Sequence, residues 1–588
     1  MASASGGGWH GQILHVNLTD KTTWRTCPDP DVYHNFIGGK GLAGTFLRDA
    51  MTLPWDDSAM PLLLFTGPLN DTISPTSGRM TIMSKSPLTG TVGDTSVGGS
   101  LGTMLKRCGV DGVVITGASA TPCGIELGEG DVTFTDATRL RGRSASERFE
   151  LLRDRGPVAL IGPAAEQGVA FASIIVEKHY ASGRNGLGLI CASKNLLYLC
   201  AKGSQKTQVV DPAGLKRARE DIMRLTSASP ILLGEHGIAK FGTGALYDLL
   251  HVRRMMPTAN FTKSRFEHAG AMNAHAYKNT YGAKKTGCKG CHVLCKKLTP
   301  DKKSIPEFET MSHFSALLEN RDLAVVMEAN ELCNHYGMDT ISAAATLACY
   351  AEIIGTRLSP GEIIALLHAI GTGAGIGREL GRGSLAYARA QGRPEASMTV
   401  KGLELPAYDP RGAYGMALAY VTSTRGGCHL RAYPISHEIL RKPVATDRFT
   451  FEGKARIIKI AEDCNAAIDS LTACKFLFFG ATVEEYAKAF SAVTGASFSG
   501  QDLLNAGERI YYHDRIMNAL NGFDATQDDL PRRFFELPGS SGGGIEIPAL
   551  KREDFLTARA RYYNVRGLTP GGLPTGATAS RLGLTWNI

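Results

Sequence analysis

The chain has no run of about 18 consecutive apolar residues, which excludes a membrane-spanning helix. Its opening, Met1 to Gly8, has neither a basic stretch nor an apolar core, so a disordered lead-in is expected there rather than a signal peptide. No basic stripe interleaved with aromatics occurs, which sets nucleic acid aside as a partner. Neither a dinucleotide fingerprint nor a P-loop with its Lys-Ser/Thr is present, and no repeat of fixed period. The charge imbalance is small, +8 over 588 residues, compatible with an anionic cofactor or an acidic electron carrier. Thirteen cysteines, an odd number scattered along the chain, argue against a disulfide framework and for reduced thiols in the cytoplasm.

What is present is a large globular chain, 43% hydrophobic and 20% charged, long enough for several domains. The first part reads as β-rich. A hairpin is expected around Gln12–Leu18, with strands at Pro61–Phe65, Arg79–Met83, Gly112–Thr116 and Val158–Ile161. Two glycine-rich turns interrupt it: Gly98-Gly99 before a short helix at Thr103–Cys108, and Gly183-Arg184 before Gly186 and Gly188. Small residues at such turns let backbone N–H groups approach phosphate oxygens, with Arg79 and Arg184 at hand, although a tight turn alone explains either. From Asp211-Pro212 helical periodicity takes over, through 211–225, 323–336, 341–354, 360–370, 451–463 and 482–493. The expected class is α+β: a β-rich domain over 1–210, then two mainly helical domains over 211–400 and 401–588. Gly539–Gly544 is expected to be a flexible loop.

The strongest chemical signal is Cys288-Lys-Gly-Cys291-His-Val-Leu-Cys295, three soft ligands at C-x2-C-x3-C spacing. Zinc or an iron–sulfur cluster held by cysteine alone needs a fourth thiolate. Cys333, Cys349, Cys428, Cys464 and Cys474 are the downstream candidates. His429, after paired glycines in Arg425-Gly-Gly-Cys-His429-Leu-Arg431, reads as an accessible histidine able to exchange protons near neutral pH. Glu307 and Glu309 supply carboxylates just past the cysteines, where a helix start is the simpler explanation. Asn334 to Asp339 and Asp469 to Cys474 are similar stretches, each ending a helix with polar groups five apart.

Together these blocks resemble the aldehyde ferredoxin oxidoreductase family of tungsten enzymes. The likeness runs from Gly8-Trp-His-Gly-Gln through Phe36-Ile-Gly-Gly-Lys-Gly-Leu42, Lys85-Ser-Pro-Leu-Thr-Gly90, Leu403–Ala413 and Arg425–His429 to Arg561-Tyr-Tyr563. The resemblance implies a tungsten bis-pyranopterin, or its molybdenum counterpart, seated on the β domain and covered by the helical ones. It implies a [4Fe–4S] cluster on Cys288, Cys291, Cys295 and Cys474. Arg79 and the Gly183-Arg184 turn would face pterin phosphates, Asp339 and Asp469 would bind the pterin rings, and Gly98 and Gly99 would be cofactor-binding. Met338 and Ala473 would contribute backbone, and Arg431 would lie near the cofactor. Glu309 and His429 match the family's active-site pair. Ser96 stands where a relative has an asparagine that helps bind a phosphate-bridging Mg2+. The family's D-x-x-G-L-(D/C) pattern is altered here, starting with Asn334 in one copy and carrying Thr472-Ala473 in the other. Where some relatives carry E-x-x-H for a mononuclear iron, Glu328-Ala-Asn-Glu331 lacks the histidine. The activity implied is oxidation of an aldehyde to a carboxylic acid, with electrons leaving for ferredoxin or an iron–sulfur partner subunit, in a homo-oligomer or hetero-complex. The alternatives are the catalytic subunit of an aromatic acyl-CoA reductase and a non-catalytic metal or cluster protein.

Overall fold

A computed structural model describes residues 6–586. The expected lead-in lies mostly outside this range. The amino-terminal part forms two six-stranded sheets. The first is built from β1 (Ile13–Asn17), β2 (Thr22–Thr26), β3 (Leu62–Phe65), β4 (Met80–Lys85), β5 (Val92–Val97) and β6 (Gly112–Thr116), in the order β2-β1-β6-β3-β4-β5. The second uses β7 (Cys123–Leu127), β8 (Val132–Asp136), β9 (Val158–Ile161), β10 (Ile174–Val176), β11 (Tyr180–Ser182) and β12 (Leu196–Ala201), in the order β11-β10-β9-β12-β7-β8. Pairing is antiparallel except for β1 with β6 and β7 with β12.

Local chemistry explains the first hairpin. Asp20 Oδ1 accepts from Thr22 N at 3.0 Å, Asn17 Oδ1 accepts from Thr19 N at 2.9 Å, and Lys21 takes a left-handed φ of 58°. Such side-chain-to-backbone bonds close a turn without help from the core. β3, a continuous apolar run, is buried along its whole length because strands flank it and helices cover it.

The remainder is mainly helical. Asp211 caps Pro212–Ser227, its side chain accepting from Gly214 N at 2.8 Å, and a Ser359 capping box starts Pro360–Thr372. The helices at Leu323–Tyr336, Thr340–Ile354 and Val483–Thr494 match expectation closely. The one expected at 451–463 is instead Lys454–Leu471, because Ala466, Ala467, Ile468 and Leu471 are buried and carry it further into the core. The helix after Gly98-Gly99 starts two residues early, at Leu101. The Gly539–Gly544 loop is tied down rather than free. Ser540 N donates to Ser264 Oγ at 2.8 Å, Ser264 N donates to Ser540 Oγ at 3.1 Å, and Gly539 N donates to Ile547 O at 2.8 Å.

The β base meets the helical part along a seam with no room for side chains. A Cβ on Gly67 would lie 2.5 Å from the Leu471 carbonyl carbon, and one on Gly39 would lie 2.5 Å from Asp469 O. Across the same seam Gly41 N donates to Ser470 Oγ at 3.0 Å, and Thr472 Oγ1 bonds the Asn70 side chain. The turn carrying Asp469, Thr472 and Cys474 is therefore pressed directly onto the first sheet's loops.

Candidate active site

The three clustered cysteines lie on a hairpin, Lys284–Thr286 paired with Lys296–Leu298, whose connecting loop holds Cys288, Cys291 and Cys295. Cys474 reaches them from the turn that ends Lys454–Leu471, where Thr472 adopts φ 53°. All four thiols are half-buried and free. Burial pushes Cys474 up to about 11, with Cys291 and Cys288 adding to the effect and Arg79 opposing it. Burial also raises Cys295, as do Glu307, Cys474 and Cys288. Each thiol thus sits in the field of the others. Burial alone would lower Arg79, but Cys474, Cys288 and Cys295 raise it, so the guanidinium belongs to the same group. Of the other fourth-ligand candidates, Cys333 and Cys349 are enclosed in helices and Cys428 belongs to a different group. No trio of His, Cys, Asp or Glu among the described residues closes tightly enough for a single metal ion.

Arg79 is held by β5: its Nε donates to Ser96 Oγ at 2.8 Å and its Nη2 to Ser96 O at 2.6 Å. Gly98 sits against the cysteines, since a Cβ there would fall 2.5 Å from Cys288 Sγ. The amides after Gly99 are already taken. Glu177 Oε1 accepts from Ser100 N at 2.6 Å and from Leu101 N at 2.8 Å. A resident carboxylate thus fills the anion position expected there for a phosphate, and the turn instead gives the cysteine loop close approach.

Glu309 stands in the helix Phe308–Ser312, which widens into a π-helical turn at His313–Leu317. Its Oε2 accepts from Ala407 N at 2.8 Å, and its Oε1 lies 3.4 Å from His429 Nε2, too poorly aligned to be a hydrogen bond. The accessible histidine expected at 429 is only 9% exposed. The paired glycines serve packing there: a Cβ on Gly426 would meet Leu403 Cβ at 2.6 Å. Tyr408 covers the imidazole, ring centroids 5.1 Å apart, and Tyr433 lies 5.9 Å away on another side. Burial raises Glu309 to about 8, against Ala407 N–H and Arg184. Burial, then Arg184, Arg425 and Lys475, lowers His429 well below the usual histidine range. The buried pair is therefore neutral near pH 7, which corrects the expectation of a histidine titrating there.

Two arginine–aspartate pairs flank this couple. Arg184 Nε lies 3.1 Å from Asp339 Oδ2, and Nη2 donates to Glu404 O at 2.6 Å. Asp339 also caps Thr340–Ile354, accepting from Ser342 Oγ at 2.8 Å. Gly183 leaves open space, its nearest neighbour being Asp339 Oδ1 at 3.8 Å from a built Cβ. On the other side Arg431 reaches Asp94 Oδ2 at 2.8 Å and Asp469 Oδ2 at 3.2 Å, and Lys475 Nζ lies 2.7 Å from Asp469 Oδ2. The N–H groups of Met338 and Ala473 are spent on Cys333 O and Ile468 O, which leaves only their carbonyls for a ligand.

Several residues here were not read from the sequence as site residues. Arg425 donates to Cys428 Sγ from Nε at 3.1 Å and Nη2 at 3.0 Å, and to Asp94 O at 2.7 Å. Burial would raise Cys428, but Arg425, Arg431 and Arg184 bring it down to about 7. Lys40 bridges Asp94 at 3.0 Å and Asp514 at 2.7 Å. Arg425 and Lys40 both stand inside the blocks that carry the family resemblance, which was the available signal; Asp94 and Lys475 had none.

Known proteins match this chain over nearly its whole length. The model of the aldehyde ferredoxin oxidoreductase N-terminal domain matches residues 13–203, and that of domains 2 and 3 of the same enzyme matches residues 217–584. The chain belongs to the aldehyde ferredoxin oxidoreductase family. It is 34% identical to the tungsten-containing aldehyde ferredoxin oxidoreductase of Pyrococcus furiosus, over 96% of this chain and 97% of that one. Identity to the Thermococcus kodakarensis enzyme of the same name is also 34%, over 98% and 99% of the two chains. An aliphatic sulfonate oxidoreductase subunit of Pyrococcus furiosus is 26% identical over 98% of this chain and 97% of its own. Among solved structures, the active-site complex of a benzoyl coenzyme A reductase bound to 1,5-dienoyl-CoA superposes with TM-score 0.84 at 19% identity, covering 98% of this chain and 97% of that one. That last likeness establishes the fold. Membership in this enzyme family makes the chain an oxidoreductase, and none of its described helices is long and apolar enough to cross a membrane.

Proposed function

We propose that the chain oxidises aldehydes, R-CHO + H2O → R-COOH + 2 H+ + 2 e−, with a tungsten bis-pyranopterin between its domains and a [4Fe–4S] cluster on Cys288, Cys291, Cys295 and Cys474. The observation that carries this is a set of buried polar atoms in one region that find no partner. They are Arg184 Nη1, Asn185 Oδ1, Glu309 Oε1, His429 Nδ1, Arg431 Nε and Asp469 Oδ1. Proteins satisfy nearly all such groups, so a patch of unmet donors and acceptors marks where a polar molecule belongs. A pterin, with ring nitrogens, amino groups and phosphates, offers the complementary set. Arg184, Gly183, Asp339 and the Met338 carbonyl would hold one side, and Arg431, Asp469 and the Ala473 carbonyl the other. Arg79, Ser96, Gly98 and Gly99 would face the cluster side, and Ser96 would be among the groups near a Mg2+.

When bound, the tungsten cofactor supplies the two-electron acceptor. The chain's own residues manage position and protons. His429, neutral and clamped by Tyr408, directs a ring nitrogen at the aldehyde oxygen. Glu309 is the general base toward the attacking oxygen, fixed through Oε2 by Ala407 N–H while Oε1 faces the imidazole. Burial excludes bulk water and keeps the carboxylate basic enough to take a proton. The electrons leave singly for ferredoxin or an iron–sulfur partner subunit. The three units 1–210, 211–400 and 401–588 would meet at this site, and thirteen free cysteines suit a reducing cytoplasm. The acyl-CoA reductase alternative has fold likeness alone behind it, at 19% identity, against 34% to aldehyde enzymes. Elemental analysis of anaerobically purified protein, followed by aldehyde screening with a viologen acceptor, tests the reading. About one tungsten and four iron per chain with aldehyde turnover is the expected result. Zinc alone, or no turnover with any aldehyde, would refute it.

A further inference from the structure

Seven arginines are buried among the described residues. Six of them pair with a carboxylate, Arg431 with Asp94 and Arg184 with Asp339 among them. Arg425, 4% exposed, pairs with none among the described residues. Its Nη1 donates to the Asp94 backbone carbonyl at 2.7 Å, while Nε and Nη2 both end on Cys428 Sγ, at 3.1 and 3.0 Å. That two-pronged fork is the geometry in which arginine otherwise grips a carboxylate. A guanidinium buried without an anion is costly, and the sulfur is the one atom placed to supply the charge. Leu430 N also donates to Sγ, at 3.3 Å. Three N–H donors on one sulfur suit S− rather than S–H, which is a weak acceptor with a proton of its own to place. Buried Cys108 and Cys349 give that proton to carbonyls; Cys428 donates to no acceptor among the described residues.

What the sulfur gathers is the backbone on both sides of His429. Residues 425, 428 and 430 all meet on it, and the loop they form is pinned by Asn185 Nδ2 on Arg425 O at 3.0 Å and by Gly427 N on Val400 O at 3.0 Å. The imidazole has no comparable tether of its own. Its Nδ1 has no partner, and its Nε2 makes only the 3.4 Å approach to Glu309. Its place is therefore set by its backbone and by the Tyr408 ring.

We propose that Cys428 is an ionised thiolate, the counter-anion of Arg425, and that through this pair it is the positioning residue that holds His429 opposite Glu309. The catalytic consequence rests on the aldehyde-oxidising reading; the thiolate does not. Burial opposes ionisation, but Arg425, Arg431 and Arg184 outweigh it and bring the thiol down to about 7. Glu309, Tyr420 and Lys475 are the other titratable groups that face the sulfur.

Infrared spectroscopy of the full anaerobic protein at about pH 8, taken as wild type minus Cys428→Ser, tests the charge. No S–H stretching band is expected for Cys428, and Arg425→Gln, which removes the fork, should bring one up. Cys428→Ser keeps the shape and loses the charge. Its kcat with aldehydes should fall roughly 10- to 100-fold with KM little changed, and in crystals His429 Nε2 should leave its 3.4 Å approach to Glu309 Oε1. Cys428→Asp, a carboxylate of similar size that takes the same fork, should recover most of both. A Cys428 S–H band in the wild type, a serine variant as fast as the wild type, or an aspartate variant no better than the serine one would overturn the assignment. A blank S–H region with His429 displaced only in Cys428→Ser, in a protein that oxidises no aldehyde, upholds the thiolate and its hold on His429 and fails only the substrate reading.

Discussion

Two groups of buried charges in this molecule are built from the same side chains and end in opposite states. In the carboxy-terminal helices Arg566 pairs with Glu462 at 2.6 Å and with Asp463. Glu462 also accepts from Thr422, Tyr511 and Tyr562, at 2.7, 2.8 and 2.6 Å. Nearby Asp528 takes Arg515 at 2.9 Å and Lys401 at 2.6 Å. None of these charged atoms lacks a partner, whereas Arg184, Glu309, His429, Arg431 and Asp469 each keep one or more free. The closed group is architecture. The open one bears a desolvation cost that only a bound molecule offsets.

This contrast breaks most visibly at the reacting pair. Glu309→Gln and His429→Asn should each lower kcat by roughly 10²–10⁴-fold while leaving iron content and Tm unchanged, and retained turnover would remove that residue from the chemistry. The closed group should answer in stability instead. Arg566→Met takes the only ion-pair partner from buried Glu462 and one of two from Asp463, which keeps Lys459 at 2.7 Å, and should cost about 3–5 kcal/mol in denaturant unfolding, with little change in kcat of the folded fraction. Arg184→Met sharpens the comparison. In protein stripped of metal it removes the cation beside buried Asp339, which keeps the Ser342 hydroxyl and the Ile341 and Ser342 amides, so it should cost about 1–3 kcal/mol, less than Arg566→Met, yet tungsten incorporation should collapse. An equal loss of stability for Arg184→Met and Arg566→Met would erase the distinction.

The smallest effect is in the pH profile. Below about 8 the Glu309 carboxyl is mostly protonated, so a base role predicts kcat/KM rising with pH, half-maximal near 8 and levelling above it. His429 is lowered and neutral across that range, so no second limb should appear near its usual value. Glu309→Gln should flatten the profile, and a wild-type profile already flat from pH 6 would contradict the base assignment.

Much of this was legible in the sequence, and what was not has physical causes. Strand and helix positions followed from apolar periodicity and from caps such as Asp211 and Ser359, which act locally. The cysteine triad announced itself by spacing, but its nearness to Cys474 depends on a contact 179 residues further on, counted from Cys295, that no local pattern contains. His429 was read as exposed because paired glycines usually mark surface turns; here they make room for Leu403. Gly98-Gly99 was read as a phosphate turn because nothing nearby in sequence signals Glu177, which takes the Ser100 and Leu101 amides from the turn between β10 and β11. The length of Lys454–Leu471 was hidden because its last turns are buried on the β base rather than amphipathic.

The seam of Gly39 and Gly67 against Asp469 and Leu471 ties inheritance to assembly. Either side could accumulate substitutions freely on its outer surface, but a methyl group at Gly67 has nowhere to go unless the Leu471 turn retreats. That turn carries both Asp469 and Cys474, so a change on the amino-terminal half would move the Arg431–Asp469 pair and the fourth clustered thiol at once. The two halves are therefore bound to change together, and a chimera joining halves from distant relatives should succeed or fail at this strip of backbone before any side chain in the pocket is consulted.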